Sequence, residues 1–214
     1  MLVLRAITTF EALYLSRSSN RLIEAVGSAF RGSAHQQPPG ATEGVAIART
    51  IVNELDSARF DPLLVRAVAR NVASALDVFL TRTENLVIAD RSATSLVGPT
   101  VTPQIALNAS LGSCLFHCWH RLNRLDGEYH ESVASIIEPN IQNLKIAFEK
   151  ISEPLLLAIR RDLSAIVTRL HRVDFTKPGI GGPSAYMKDL VDKLGFVRNE
   201  VLSRFQVGEL GRTW

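Results

Sequence analysis

Apolar residues recur along this chain three or four positions apart in almost every long segment, a spacing that aligns one face of a helix and fits no alternating strand. The first such segment predicts a long helix over residues 3–30. A shorter one over 43–55 carries Val45, Ile47, Ala48, Ile51, Val52 and Leu55. At Asp61-Pro62 a start signal appears, since the Asp side chain can accept from free first-turn amides while proline sits where a missing N–H costs nothing. The helix opened there carries Leu64, Val68, Val72, Ala75, Leu76, Phe79, Leu86 and Val87 on one face and ends before a loop at 90–102. Thr102-Pro103 repeats the signal. Leu107, Leu111, Cys114, Cys118, Leu122 and Leu125 then step by fours and threes as a bundle seam does, until Asp126-Gly127.

Pro139 and Pro154, each preceded by Glu, predict a kinked helix or short breaks, because an interior proline removes a hydrogen bond at a cost of about 3 kcal/mol. From Leu156 a new seam is expected through Ile159, Leu163, Ile166 and Leu170, stopping at His171 to Phe175. After the chain breakers of 176–183, Ser184 is placed to cap a last helix with Met187, Leu190, Leu194, Val197, Val201 and Phe205 inward. Residues 31–42, with Gln36-Gln37-Pro38-Pro39-Gly40, read as a flexible linker. The organisation expected is therefore a first long helix in 1–30, the linker 31–42, a helical bundle segment in 43–206 and a tail in 207–214, with no repeat of solenoid length.

Composition supports a packed body: 46% of the 214 residues are hydrophobic and 21% charged. The longest unbroken aliphatic run is 155–159, far short of the about 20 residues that cross a bilayer. The start, MLVLRAITTF, interrupts its apolar stretch with Arg5 and offers no cleavage site, so no secretory signal is read and the cytosolic side is expected. Cys114 and Cys118 lie one helical turn apart, as two buried thiols in a reducing compartment would. The sequon Asn108-Ala109-Ser110 falls inside the same helix and reads as chance. Net charge is only +3, yet 19 of the 24 basic residues are Arg, which permits anionic partners without requiring them. Mixed runs such as Arg160-Arg161-Asp162 read as a solvated face.

Little in the chain names a reaction. Cys114, His117, Cys118 and His120 form a metal-like cluster, but His120 points away from the others and a tetrahedral site would need His130 or His171 as well, so two core thiols beside Phe116 and Trp119 are expected and no metal. Gly179-Ile180-Gly181-Gly182 lacks the Lys-Ser/Thr of a phosphate loop. No Gly-x-Ser-x-Gly elbow, Glu-x-x-His pair or aspartate cluster is present, so no catalytic residue and no cofactor are assigned. Arg66 with Arg70 and Arg169 with Arg172 could grip phosphate, but without interleaved aromatics nucleic acid is not expected, and acids on neighbouring helices are the expected partners.

The opening helix holds the most specific pattern. Val3, Ile7, Phe10, Leu13 and Tyr14 make one apolar stripe that Arg17 and Arg21 continue, while Leu15, Leu22 and Val26 begin a second. The burial face is thus expected to change at 16–20. Phe10, Tyr14, Arg17 and Arg21 are the candidate residues, either as a joint where the helix exchanges neighbours, with both arginines held by acids or carbonyls, or as a partner contact.

The block FEALYLSRSSNRL at 10–22, together with Asn71-Val72-Ala73, Ser95-Leu96-Val97-Gly98-Pro99, His171 through Asp174-Phe175, and Tyr186-Met187-Lys188-Asp189-Leu190, resembles in order and spacing the family of subunit 5 of the conserved oligomeric Golgi complex. The resemblance runs from about Phe10 to Phe205, and the stretch 114–119 departs most from it. It implies an all-α fold, an elongated helical-bundle rod of the multisubunit tethering-complex type. It also implies that the chain is a middle segment, its first helix continuing an upstream one. The function implied is a non-enzymatic scaffold in intra-Golgi retrograde vesicle transport on the cytosolic face of the Golgi membrane, held there peripherally through the complex. The partners implied are other subunits of that complex, especially subunit 7 of the same lobe, with SNARE and Rab proteins. A helical interaction module of another cytosolic assembly is the alternative expectation. A third class is a helical enzyme or ligand-binding domain, which would show a deep pocket with converging polar groups.

Overall fold

The computed structural model describes residues 2–31, 38–98, 100–125, 127–169 and 184–208, with side chains from Thr9 onward. Among them lie six α-helices and no strand: α1 (Leu2–Ala29), α2 (Ala41–Ala58), α3 (Pro62–Glu84), α4 (Pro103–Leu122), α5 (Glu131–Thr168) and α6 (Ala185–Phe196). Both start signals act as the sequence suggests. Asp61 accepts from the amides of Leu63 (2.9 Å) and Leu64 (3.1 Å), and Thr102 Oγ1 accepts from Ile105 N at 3.2 Å.

Cross-links between helices fix their directions. Asn71 Nδ2 donates to the Leu15 carbonyl at 3.0 Å while Phe30 meets Phe79 at 6.1 Å, so α1 and α3 run the same way. Asn140 donates to Asp77 (2.6 Å) near the start of α5, and Lys150 reaches Glu84 (4.0 Å) farther along, so α5 follows α3. α4 runs against α5, with Phe116 opposite Phe148 at 5.5 Å and Lys145 over the Trp119 ring at 5.9 Å. α2 crosses α4 so closely that a Cβ on Gly44 would lie 2.1 Å from the Cys114 carbonyl oxygen. The five helices enclose one core that includes Leu22, Ile51, Val72, Leu76, Phe79, Leu111 and Leu144.

α5 is the spine. Its 38 residues extend about 57 Å at 1.5 Å per residue, beyond the five-helix bundle. Past Ile151 it enters a second, smaller core, where Leu155, Ala158 and Ile159 meet Leu96, Ile105, Val197 and Val201. The fold is an all-α bundle of elongated form.

Several expectations change in detail. α5 passes through Pro139 and Pro154 as one helix, with no break. The buried positions Leu144, Ala147, Ile151, Leu155, Ala158 and Ile159 hold one register across Pro154. Of the seam expected from Leu156, Ile159 is buried, Leu163 packs on the second core and Ile166 is half-buried, but Leu156 itself is 46% exposed, while Leu155 beside it is buried. α3 ends at Glu84, so Leu86 and Val87 pack against the core from the following loop. That loop is tied down, since Asn108 Nδ2 donates to the Ile88 carbonyl (2.8 Å) and the Ile88 amide donates to Asn108 Oδ1 (3.1 Å). The sequon asparagine is thus buried in a structural role. α2 begins at Ala41, two residues early, because the Gly40 amide donates to Glu43 (2.8 Å) and Ser110 Oγ donates to the Pro39 carbonyl (3.1 Å). The flexible-linker reading of 31–42 falls mainly on 32–37, outside the described residues, as do the glycine run of 179–182 and the block from His171 to Phe175.

α6 holds the largest difference. Ser184 occupies the cap position without a side-chain hydrogen bond, and α6 contains no fully buried residue. Val197 and Val201, in the π turn Val197–Val201 that follows, are buried as expected, and Phe205 packs against the second core. Met187 and Leu194 instead face solvent. Helix 185–196 carries two apolar stripes, and the neighbouring one with Tyr186, Leu190 and Lys193 turns toward the body.

Candidate functional site

The four candidate residues of α1 divide into two pairs. Arg21 reaches α2, where Nε donates to Glu54 Oε1 at 2.6 Å and Nη2 to Oε2 at 2.9 Å, a forked contact that matches guanidinium to carboxylate. Glu54 has only 8% of its side chain exposed and Arg21 48%, so the contact closes the rim of the core. Burial pushes the Glu54 carboxyl up, but the Arg21 hydrogen bond, the Ser18 hydroxyl and the Arg21 charge together more than offset this and hold it below the ordinary value. Arg21 is raised, chiefly by that same hydrogen bond. Tyr14 packs half-buried against the main core, and burial together with Glu54 raises its phenol. Ser18, between them on the helix, is fully buried.

The other pair faces outward. Phe10 is 73% exposed, and Leu13 on the same stripe 51%. Arg17 is exposed and makes no ion pair among the described residues, so of the two arginines only Arg21 is held by an acid. Glu54 was missed at the sequence level although it carried a signal: it continues the stripe Ile47, Ile51, Ala58, where a carboxylate needs a cation opposite.

The metal-like residues serve separate neighbours. Cys114 and Cys118 are free thiols in the main core, where burial pushes Cys114 well up and Cys118 to about 12. His117 Nε2 meets the Gln206 carbonyl, and His120 stacks on Phe116 at 5.8 Å, its imidazole lowered by burial and by Arg124. His130 Nδ1 accepts from the Ser132 amide at 3.2 Å and opens α5. Among the described residues no group of three or more ligands converges; His171 lies outside them. No described helix is long and apolar enough to cross a membrane.

An open groove of about 630 Å³ runs between α5, α6 and residues 96–98, lined by Arg169, Asp189, Lys193 and Glu200. Part of its charge is paired: Arg169 meets Asp189 at 2.8 Å, while Lys193 pairs with Asp162 at 3.1 Å and donates to the Leu96 carbonyl at 2.7 Å; Asp192 and Glu200 line it as well. Asp162 therefore serves as an inter-helix anchor and not as part of a solvated face. Arg66 and Arg70 are exposed on α3, and Arg172 lies outside the described residues. What the surface offers instead is helix faces: the α1 stripe at Phe10 and Leu13, and an α6 stripe of Met187, Val191, Leu194 and Leu202.

No protein-family model matches the chain, and no solved structure matches it. Among curated proteins it is similar to conserved oligomeric Golgi complex subunit 5 of Mus musculus, with 27% identity over 206 residues, covering 92% of this chain and 25% of the relative. It is also similar to conserved oligomeric Golgi complex subunit 5 of Arabidopsis thaliana, with 23% identity over 201 residues, covering 92% and 24%. The chain spans about a quarter of the length of these relatives. Over nearly its whole length, the chain is similar to a segment of subunit 5 of the conserved oligomeric Golgi complex.

Proposed function

We propose that this chain is part of a non-enzymatic scaffold subunit of a Golgi vesicle-tethering complex, acting in intra-Golgi retrograde transport. The observation that carries this reading is the 27% identity, sustained over 206 residues, to a subunit whose name places it in an oligomeric Golgi complex. The helical spine with two cores suits a part that holds others at a distance, and the inter-helix ion pairs Arg169–Asp189 and Lys193–Asp162 suit a structural role for the α5–α6 groove. Under this reading the partners are the other subunits of the complex, subunit 7 foremost, with SNARE and Rab proteins, and the protein is peripheral on the cytosolic face of the Golgi. Affinity purification of the full-length protein tests it. Recovery of the other subunits in stoichiometric amounts is expected, and a stable protein that brings down none of them overturns the reading.

Within that function, the α1 block acts as a helix joint. Tyr14 and Arg21 fasten α1 to its own bundle, while Phe10 lies before this fastened stretch and Arg17 on its outer face. An Arg17→Glu variant is expected to keep both its melting temperature and its co-purifying subunits. Loss of a subunit at unchanged melting temperature would make this face a partner contact instead.

A further inference from the structure

We propose that the outer stripe of α6, formed by Met187, Val191, Leu194, Arg198 and Leu202, is a docking seam for one amphipathic helix of a partner chain, with aliphatic anchors at three-four spacing and carboxylates beside them. Successive members of the stripe are separated by four, three, four and four positions, so they line one narrow ridge across α6 and the π turn. Met187 is 40% exposed, Val191 61%, Leu194 46% and Leu202 43%. The body-facing stripe, Tyr186, Leu190, Lys193, Val197 and Val201, lies about 100° around the same helix. Among the described residues, α5 and the stretch at Leu96 meet the body-facing seam of α6, and the ridge stays exposed.

Energetics argue that the second seam is used. Helices shorter than about 12–15 residues are marginal by themselves and depend on burying a face. None of the 12 residues of α6 is fully buried, and the burial that anchors it comes from Val197 and Val201 in the π turn that continues it, so α6 itself draws little from its bundle. The π turn directly after it is a rare distortion that recurs at functional sites, and here it keeps Leu202 near the ridge while Val201 stays in the core.

Charge selects the occupant. Arg198 sits in the ridge and makes no ion pair among the described residues. The acids nearby are already used or turned away: Asp189 holds Arg169, Asp162 on α5 holds Lys193, and Asp192 and Glu200 line the groove on other sides of the helix. Arg198 is left uncompensated in the ridge, so a carboxylate is what it lacks. A lipid surface would be favoured by a wide apolar face with a basic border. This ridge is one residue wide, the width of a helix–helix seam.

The test uses the full chain and two fluorescein-labelled helical peptides of about 20 residues with the same leucine seam, one flanked by Glu and one by Lys. Fluorescence anisotropy is expected to show the Glu-flanked peptide binding at least about tenfold more tightly, with loss of binding on Leu194→Glu and reversal of the preference on Arg198→Glu. Val191→Ser, a milder change at the most exposed position, is expected to weaken binding without altering the circular dichroism, so a misfolded Leu194→Glu would not decide the matter. Equal binding of the two peptides, or binding insensitive to Val191→Ser, overturns the proposal. So does flotation with phosphatidylserine vesicles in place of peptide binding, or a concentration-dependent dimer that Val191→Ser abolishes, because these assign the ridge to a membrane or to a second copy.

Discussion

At the scale of single residues, the Arg21–Glu54 contact shows how a charge earns a place at the edge of a core. Removing Arg21 leaves a carboxylate with 8% of its side chain exposed and no counter-ion, so Arg21→Ala is expected to cost about 2 kcal/mol in urea unfolding, less than a fully buried pair because Arg21 is half in solvent. Arg17→Ala, one turn away and exposed, should stay within about 0.5 kcal/mol. The pair also gives a pH signature. Because the folded carboxyl lies below its ordinary 4.5, the unfolded chain takes up the proton first, and the stabilisation is present above that value and lost as pH falls through the folded one. Glu54→Gln should therefore lose less stability than the parent on acidification below pH 4.5, and identical slopes would show that the contact contributes nothing. Gly44 is the opposite kind of residue, needed for what it lacks. A methyl group there meets the Cys114 carbonyl at 2.1 Å, and a backbone atom of α4 cannot swing aside as a side chain can, so Gly44→Ala must push α2 from α4. A loss of about 3 kcal/mol is expected. The displaced pair of thiols, unreactive to a disulfide reagent in the parent because they are buried and raised, should become labelled at a measurable rate.

At the scale of elements, the parts of the fold that could be read from the sequence were those whose cause is local. Asp61-Pro62 and Thr102-Pro103 mark helix starts because capping and proline geometry act within one turn, and both caps form. Asp61→Ala should accordingly lower stability by about 1 kcal/mol in thermal unfolding, whereas Ser184→Ala should change little, since Ser184 makes no capping bond; equal losses would remove the distinction. What could not be read depended on distant chain. Pro154 should break a helix by local rules, yet the buried run from Val133 to Ile159 carries α5 through it, and the register of that run exposed Leu156. α6 has two apolar stripes of equal quality, and only the position of Leu96 and Ile159 decides which turns inward. The candidate site divides the same way. Arg21 was visible as a cation in an apolar stripe, but its partner lies 33 residues away, and the solvent exposure of Phe10 and Arg17 depends on where α2 ends.

At the scale of the whole molecule, one helix joins two unequal cores, and this should appear in its dynamics. The main core draws on all of α1 to α5, while the second rests on Leu96, Ile105, Leu155, Ala158, Ile159, Val197 and Val201. Stability of a segment follows the apolar contacts that must be broken to open it. Pro154 sits between the last α5 residue of the main core, Ile151, and the first of the second, Leu155, and it interrupts the hydrogen-bond ladder there. At that point the two halves of α5 are coupled by the helix itself and, beside it, by α4, whose Ile105 lies in the second core and whose Leu107 and Leu111 lie in the main one. In native-state hydrogen exchange, amides between Val133 and Ile151 should exchange only through global unfolding, while those beyond Ile159 and throughout α6 should exchange at least about tenfold faster through a local opening. Addition of urea should slow neither class and should merge them only near the global midpoint. Uniform protection along all 38 residues would mean that the spine and both cores unfold as one unit, and the description of a rod with a weaker far end would then be wrong. A split at Pro154 would place the marginal element, α6, on the half of the spine that opens first, where burial against a second helix has the most to add.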